Sequence, residues 1–303
     1  MTDSLSGADA PGAAGASRSG AQTPEAAGAT GVMVVGAEGR MGLEVRAALA
    51  DEPSLRFVGA LERPGHDAIG QSLPSQGGAQ DGEQSVVLHD DPKRALEGCG
   101  VAIDFSIPAA TLANLRAASD AGVAYVTGTT GFDEAGKAEI ARFAERIPVL
   151  HAPNFSVSVN VLGHLAREAA RLLGEGYDAE LFELHHSQKR DAPSGTALFL
   201  AEAVAEGQSL ATGQKKNLRD HLVLERAGET GERPKDAIGI QTLRGGDNPG
   251  EHTIYFIGRG ERIELTHRAA TRGHFAVGAV RAAAWLVGRK PGLYRIEQVL
   301  GLD

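Results

Sequence analysis

The chain has 303 residues, 42% of them hydrophobic, and a net charge of −9 from 30 basic and 39 acidic side chains. That balance excludes a chain-wide nucleic-acid footprint, which needs a basic face to neutralise phosphates, and no apolar run reaches the length of a membrane span. The single cysteine, Cys99, excludes an internal disulfide framework and a Cys-rich zinc site, and fits a reducing cytoplasm.

Residues 1–30 are rich in Ala, Gly, Ser and Pro and nearly free of large apolar side chains. Such a segment cannot bury enough surface to offset chain entropy, so a disordered tail is expected, without the apolar core of a secretory signal. From residue 31 short apolar runs alternate with amphipathic segments. A strand at 31–36 leads into a helix with Met41, Val45, Ala48 and Leu49 on one face, then a strand at 55–62. Residues 63–85, rich in Gly, Gln, Ser and Pro, read as a long loop. A strand at 101–106 precedes a helix opened by Pro108, and a strand at 123–129 precedes a helix with Ile140, Phe143, Ala144 and Ile147 on one stripe. A further strand covers 148–154. Strands alternating with helices imply right-handed crossovers and a parallel sheet covered on both faces, an α/β Rossmann-like domain.

Near residue 155 the pattern changes. Val157, Val161, Leu165, Ala169 and Leu172 predict one face of a long helix, followed by a strand (179–189), a helix (196–207) and a polar stretch (208–236). Two strands at 251–258 and 262–269 flank Gly258-Arg259-Gly260 as a hairpin. This reads as a second, α+β domain over 156–272 with a mixed, largely antiparallel sheet. The helix at 275–288, with Trp285, returns to the first domain, which thus comprises 31–155 and 273–303.

The turn "GAEGRMG" (36–42) joins the first strand to the first helix. Gly36, Gly39 and Gly42 allow a sharp turn and close approach of a pyrophosphate to the helix N-terminus, and Arg40 can reach phosphate. The same glycines would also serve a mere tight corner. Glu62, at the end of the second strand, can accept hydrogen bonds from ribose hydroxyls, whereas Arg63 beside it can neutralise a 2′-phosphate, so the pair is compatible with NADH and NADPH. "TGTTG" (127–131) and "APNFS" (152–156) follow the fourth and fifth parallel strands, where a nicotinamide half lies. Thr129, Thr130 and Asn154 could hydrogen-bond it there.

The stretch "ELHHSQKRDAPSGTA" (183–197) packs two histidines, a lysine and an arginine into an acidic chain. On a strand His185 and His186 point to opposite faces, and Lys189 shares the face of His185 if the strand stays regular. Their divergence and the absence of an obvious third ligand argue against a metal site. Asp191-Ala192-Pro193 breaks the strand, and Ser194-Gly195-Thr196 opens a helix whose first N–H groups, on Gly195 and Thr196, can hold a carboxylate.

Together these motifs resemble the 4-hydroxy-tetrahydrodipicolinate reductase (dihydrodipicolinate reductase) family over 31–303. "GAEGRMG", "DFSIP", "GTTGF", "NFSVSVNV", "HHSQKRDAPSGTA", "RGGDNPGEHT" and "THRAATR" occur in order. The resemblance implies NADH- or NADPH-dependent reduction of a small cyclic dicarboxylate in lysine and diaminopimelate biosynthesis. It also implies a cytoplasmic homotetramer with neither membrane nor nucleic-acid partner, and no metal. His185 would be the proton donor and Lys189 its charged partner, while His186, Gly195 and Thr196 would bind substrate carboxylate. The cofactor would be held by Gly36, Ala37, Glu38, Gly39, Arg40 and Met41, by Glu62 and Arg63, by Gly128, Thr129 and Thr130, and by Ala152, Pro153, Asn154 and Phe155. Ile107 stands where some members carry a basic residue. A semialdehyde dehydrogenase would want a cysteine nucleophile, and Cys99 in "GCG" is a poor seat for one. A non-enzymatic dinucleotide sensor would have no need of the His-His-Lys run.

Overall fold

A computed structural model describes residues 28–75 and 85–302. Residues 1–27 of the expected tail, 76–84 of the expected loop and residue 303 lie outside the described residues. In chain order the elements are β1 (Thr30–Val35), α1 (Arg40–Leu49), β2 (Leu55–Leu61), β3 (Ser72–Pro74), β4 (Ser85–His89), α2 (Pro92–Ala95), β5 (Val101–Asp104), α3 (Pro108–Ala121), β6 (Ala124–Thr127), α4 (Glu134–Ala144) and β7 (Pro148–His151). They continue as α5 (Val157–Leu173), β8 (Asp178–His185), α6 (Gly195–Thr212), α7 (Leu218–His221), β9 (Leu222–Val223), β10 (Ile238–Arg244), β11 (Glu251–Ile257), β12 (Arg262–Arg268), α8 (Gly273–Leu286), β13 (Gly292–Tyr294) and α9 (Ile296–Leu300). Among the described residues no helix is long and apolar enough to cross a membrane.

The first sheet has eight strands in the order β13-β7-β6-β5-β1-β2-β4-β3, parallel throughout except for the β3·β4 pair. Its central strands β1, β5 and β6 are buried along almost their whole length, as strands covered on both faces must be. One face packs against α1 and α8 through Val45, Leu49, Ala276, Ala279 and Ala283; the other packs against α3 and α4 through Leu115, Ala118, Ile140 and Phe143. Helix α8 therefore sits on the first sheet, where the sequence put it. The chain leaves β1 toward β2 on one side and returns to β5 on the other, so the switch point lies at the carboxyl ends of β1 and β5.

The expected loop at 63–85 is a correction. Ser72–Pro74 forms β3, paired antiparallel with β4, and β4 extends the sheet parallel to β2. Only Val86 and Leu88 of β4 face inward, a pattern too short to register as a period.

The second sheet, in the order β12-β11-β8-β10-β9, is mixed as expected: β8·β11 and β11·β12 are antiparallel over seven residue pairs each, while β8·β10 and the short β9·β10 pair are parallel over seven and two. The long connection from β8 through α6 and α7 permits the parallel pairing. The polar stretch 208–236 also carries the end of α6, then α7 and β9.

Helix α5 exists as expected but turns another face inward. Val159, Leu162, Ala166 and Ala170 are buried, whereas Leu165 and Leu172 of the expected stripe are 49% and 72% exposed. Close packing on α6 decides this. A Cβ on Gly163 would stand 2.7 Å from the Phe199 ring, and one on Gly207 would stand 2.2 Å from the Arg167 carbonyl oxygen. Small residues at the crossing bring the helices together, and that gain in contact outweighs burying the larger stripe.

Candidate active site

The turn after β1 is built as a phosphate cradle requires. Gly36 adopts φ +66°, and its N–H and that of Ala37 donate to the Leu61 carbonyl at 2.8 and 3.2 Å. Gly39 caps α1. A Cβ on Gly42 would lie 2.0 Å from the Gly36 oxygen and 2.8 Å from Ala37 Cα, so only glycine lets the helix start this close to the turn. Replacing Gly42 by valine is expected to weaken nucleotide affinity by roughly tenfold or more and to destabilise the fold by about 1–3 kcal/mol. Fluorescence titration and thermal melts would read both, and unchanged affinity would show that the turn is only a corner.

Within this turn the side chains divide. Arg40 is exposed, Ala37 is buried in the core, and Met41 packs against it, so the last two can offer only backbone to a ligand. Buried Arg46 reaches from beneath to the Ala37 carbonyl and the Glu38 carboxylate, which ties Glu38 down. Glu62 accepts from the N–H of Glu38 at 3.3 Å and of Arg63 at 3.0 Å, so its carboxylate is fixed at the end of β2 beside an exposed guanidinium. Ile107 is 64% exposed.

A cavity of about 540 Å³ opens at the same carboxyl edge of the first sheet and is walled on the other side by the β8–α6 connection. It brings together His185, His186, Lys189, Gly195 and Thr196. Thr130, Ala152, Pro153 and Asn154 line it from the first sheet. Asn154 donates through Nδ2 to the Thr196 hydroxyl at 3.2 Å, which joins the two walls. Thr129 and Phe155 do not line it. The Thr129 hydroxyl is buried against that of Thr111 at 2.8 Å, and Phe155 stacks edge-on with Phe105. Gly128 leaves room for that Phe105 ring, which a Cβ would meet at 2.2 Å.

Strand β8 ends at His185, and the chain then turns, with the Lys189 N–H donating to the His186 carbonyl at 3.1 Å. Lys189 thus reaches the cavity by a turn rather than by strand alternation. Its ammonium meets Asp191 at 2.9 Å. Ser194 caps α6 through its hydroxyl, which accepts from Ala197 N–H at 3.1 Å. The N–H groups of Gly195 and Thr196 make no backbone hydrogen bond among the described residues and are open to an anion. His186 is held below the usual imidazole range by burial and by the charge of Arg272, whose guanidinium lies 3.4 Å from its Nε2.

Sequence reasoning missed the residues behind this wall. Glu183 is fully buried and meets His185 Nδ1 at 2.5 Å. Burial alone would raise its carboxyl, but hydrogen bonds from His185, Arg244 and the Ser194 N–H overcome that and hold it at about 2. His252 is also buried, its ring 5.1 Å from that of His185; burial first, then the charge of His185, lower it to about 3. A signal for Glu183 was present. The inward row of β8 runs Ala179, Leu181, Glu183, His185, and a carboxylate on a buried row needs a partner. Arg272, quoted within a motif but given no role, and Ser194, read only as part of a helix start, also line the cavity.

Glu183, His185 and His252 offer metal-ligand atoms within 4.8 Å of one another. The carboxylate, however, already accepts from His185, Ser194, Thr242 and Arg244, and the Arg244 guanidinium at 2.9 Å opposes a second cation. The thiol of Cys99 is pushed up to about 12 by burial, which does not suit a nucleophile.

A Rossmann-like sheet with a glycine turn at its switch point, sharing its edge with a cavity lined by His185, His186 and Lys189, is the architecture of a nicotinamide-dependent oxidoreductase. Comparison with known proteins narrows the class. Family models for the N-terminus and the C-terminus of dihydrodipicolinate reductase match residues 30–155 and 158–300. A 4-hydroxy-tetrahydrodipicolinate reductase from Anaeromyxobacter dehalogenans is 49% identical over 273 residues, covering 90% of this chain and 98% of the relative. One from Thiobacillus denitrificans is 49% identical over 271 residues, 89% and 98% of the two chains. The structure of a dipicolinate-bound dihydrodipicolinate reductase from Paenisporosarcina sp. TG-14 shares the fold, with a TM-score of 0.66 at 24% identity over 88% of this chain and 97% of that one. The chain belongs to the dihydrodipicolinate reductase family, and its cofactor is NADH or NADPH.

Proposed function

We propose that the chain reduces 4-hydroxy-tetrahydrodipicolinate to tetrahydrodipicolinate with loss of water, as lysine and diaminopimelate synthesis requires, with His185 as proton donor. The observation that carries the residue assignment is the convergence of His185, His186, Lys189 and the open start of α6 on one cavity at the nucleotide edge of the sheet. In this reading residues 31–155 and 273–303 hold the nucleotide and 156–272 hold the substrate and tetramerise, in the cytoplasm. The phosphates lie on the 36–41 turn, the ribose at Glu62 and Arg63, and the nicotinamide half beside Gly128 to Thr130 and Ala152 to Phe155.

The substrate ring carries two carboxylates. The Gly195 and Thr196 N–H groups with His186 take one, and Lys189 exchanges Asp191 for substrate charge. The nicotinamide supplies the hydride. The hydroxyl leaves as water with a proton from the neighbouring ring carbon, which gives a conjugated C=C–C=N system; hydride addition to it leaves an electron pair on the substrate that must be protonated, and His185 delivers that proton from the cavity wall.

The product of a dihydrodipicolinate synthase, supplied to the purified protein with each nucleotide, should be reduced with loss of the reduced-nucleotide absorbance. No oxidation with either nucleotide would refute the reading. Exposed Arg63 stands where a 2′-phosphate would sit, so Arg63→Ala is expected to raise KM for NADPH about 5–10-fold, against less than about twofold for NADH. Equal effects would show that Arg63 does not read the phosphate.

A further inference from the structure

Glu183 does more than neutralise a buried arginine. Its Oε1 accepts from the Ser194 N–H at 3.1 Å, the Thr242 hydroxyl at 3.1 Å and Arg244 Nη2 at 2.9 Å. Its Oε2 accepts from Arg244 Nη1 at 3.1 Å and meets His185 Nδ1 at 2.5 Å. Arg244 Nη2 also donates to the Asp191 carbonyl at 2.6 Å. One carboxylate therefore ties three separate parts of the cavity wall: the His185 ring, the first turn of α6, and the loop that carries Lys189.

A buried carboxylate–guanidinium pair is complete without a histidine. Here the ring is added with Nδ1 on the carboxylate, which fixes that nitrogen as the donor and leaves Nε2 as the nitrogen able to exchange a proton. The backbone opposite keeps Nε2 uncovered: a Cβ at Gly250 would stand 2.9 Å from it, and Gly250 holds φ +154°. We infer that Glu183, clamped by Arg244, is a positioning residue for the proposed proton transfer, orienting His185 so that Nε2 hands its proton to the substrate and holding the carboxylate-binding helix start in register with it.

In the transfer, the Nε2–H bond of the doubly protonated imidazole breaks and its electron pair stays on Nε2, while the substrate carbon–hydrogen bond forms from the electron pair that hydride addition leaves on the substrate. The imidazole is left neutral with Nδ1–H on Glu183. This rests on the proposed role of His185, so the test reads the ring itself as well as turnover.

Glu183→Gln keeps the shape. Arg244 and the Ser194 N–H both demand the amide oxygen, so the amide NH₂ must face His185 and turn Nδ1 into an acceptor. Nitrogen-15 spectra of histidine-labelled, nucleotide-bound protein should show neutral His185 protonated at Nδ1 in the parent chain and at Nε2 in the variant. The kcat should fall by about 10²–10⁴-fold with substrate KM changed far less, as when a buried carboxylate beside a catalytic imidazole is lost. Thr242→Val removes one bond to the same carboxylate without touching the ring, and should lower thermal stability while leaving kcat within about threefold.

Should Glu183→Gln fail to fold because Arg244 loses its counter-charge, Glu183→Gln with Arg244→Gln removes both charges together, and the same spectra and rates apply. A folded, nucleotide-binding variant of either kind with the parent tautomer and parent kcat would overturn the inference. A parent chain with the Nδ1–H tautomer but no turnover would instead sink the proposed reaction.

Discussion

Replacing His185 by glutamine is expected to lower kcat by roughly 10²–10⁴-fold, the ordinary worth of a positioned general acid, with nucleotide affinity unchanged. The ring lines the cavity yet is itself buried, with one nitrogen committed to Glu183. Glutamine offers an amide that can hydrogen-bond but cannot give up a proton near neutral pH. A thousandfold loss corresponds to about 4 kcal/mol of transition-state stabilisation. The turn proposed to bind nucleotide lies between β1 and α1, on other elements, so binding of reduced nucleotide should survive and would certify the fold. Steady-state kinetics with fluorescence titration separate the two. A kcat within a few-fold of the parent value would remove His185 from the reaction, even if the activity itself stood.

Acid should destabilise the chain well above the usual carboxylate range. His252 is buried, its Nε2 lies 3.1 Å from the Ser194 hydroxyl, and its Nδ1 has no partner among the described residues. In the folded chain it is lowered to about 3, whereas in the unfolded chain it takes a proton at its ordinary 6.5. Between these values the unfolded state binds the proton and the folded state does not, so stability is lost as pH falls from 6.5 toward 3. The full difference is on the order of 4–5 kcal/mol. Below pH 4.5 Glu183 adds to the loss, because its stabilisation is present above 4.5 and disappears as pH falls toward 2. His151, His267 and His274, lowered chiefly by burial, act in the same direction.

Denaturant unfolding at pH 7.5, 6.0 and 5.0 would trace the slope. His252→Gln should flatten most of it between pH 6.5 and 4.5. A slope identical to the parent's would show that His252 is not its source.

Read by itself, the sequence determined the strands β1, β2, β5, β6 and β7 with the helices α1, α3 and α4 between them, the return of α8 to the first sheet, the turn at 36–42, and the gathering of His185, His186, Lys189, Gly195 and Thr196, which line one cavity. Each depends on local chemistry. Buried parallel strands read as apolar runs, turns need glycine, and a helix start needs a cap, all within a few residues of chain. Tertiary structure alone decided which face α5 buries, because the choice belongs to Gly163, Gly207 and Phe199 at its crossing with α6. It also paired β3 with β4 and β8 with β10, partners separated by connections that no local period spans. The same holds for the wall behind the cavity. Glu183 stands two residues from His185, but what holds its charge there is Arg244, Thr242 and Ser194, arriving from β10 and the start of α6. A buried charge is decided by its partners in space, and those are set only when the sheet closes around them.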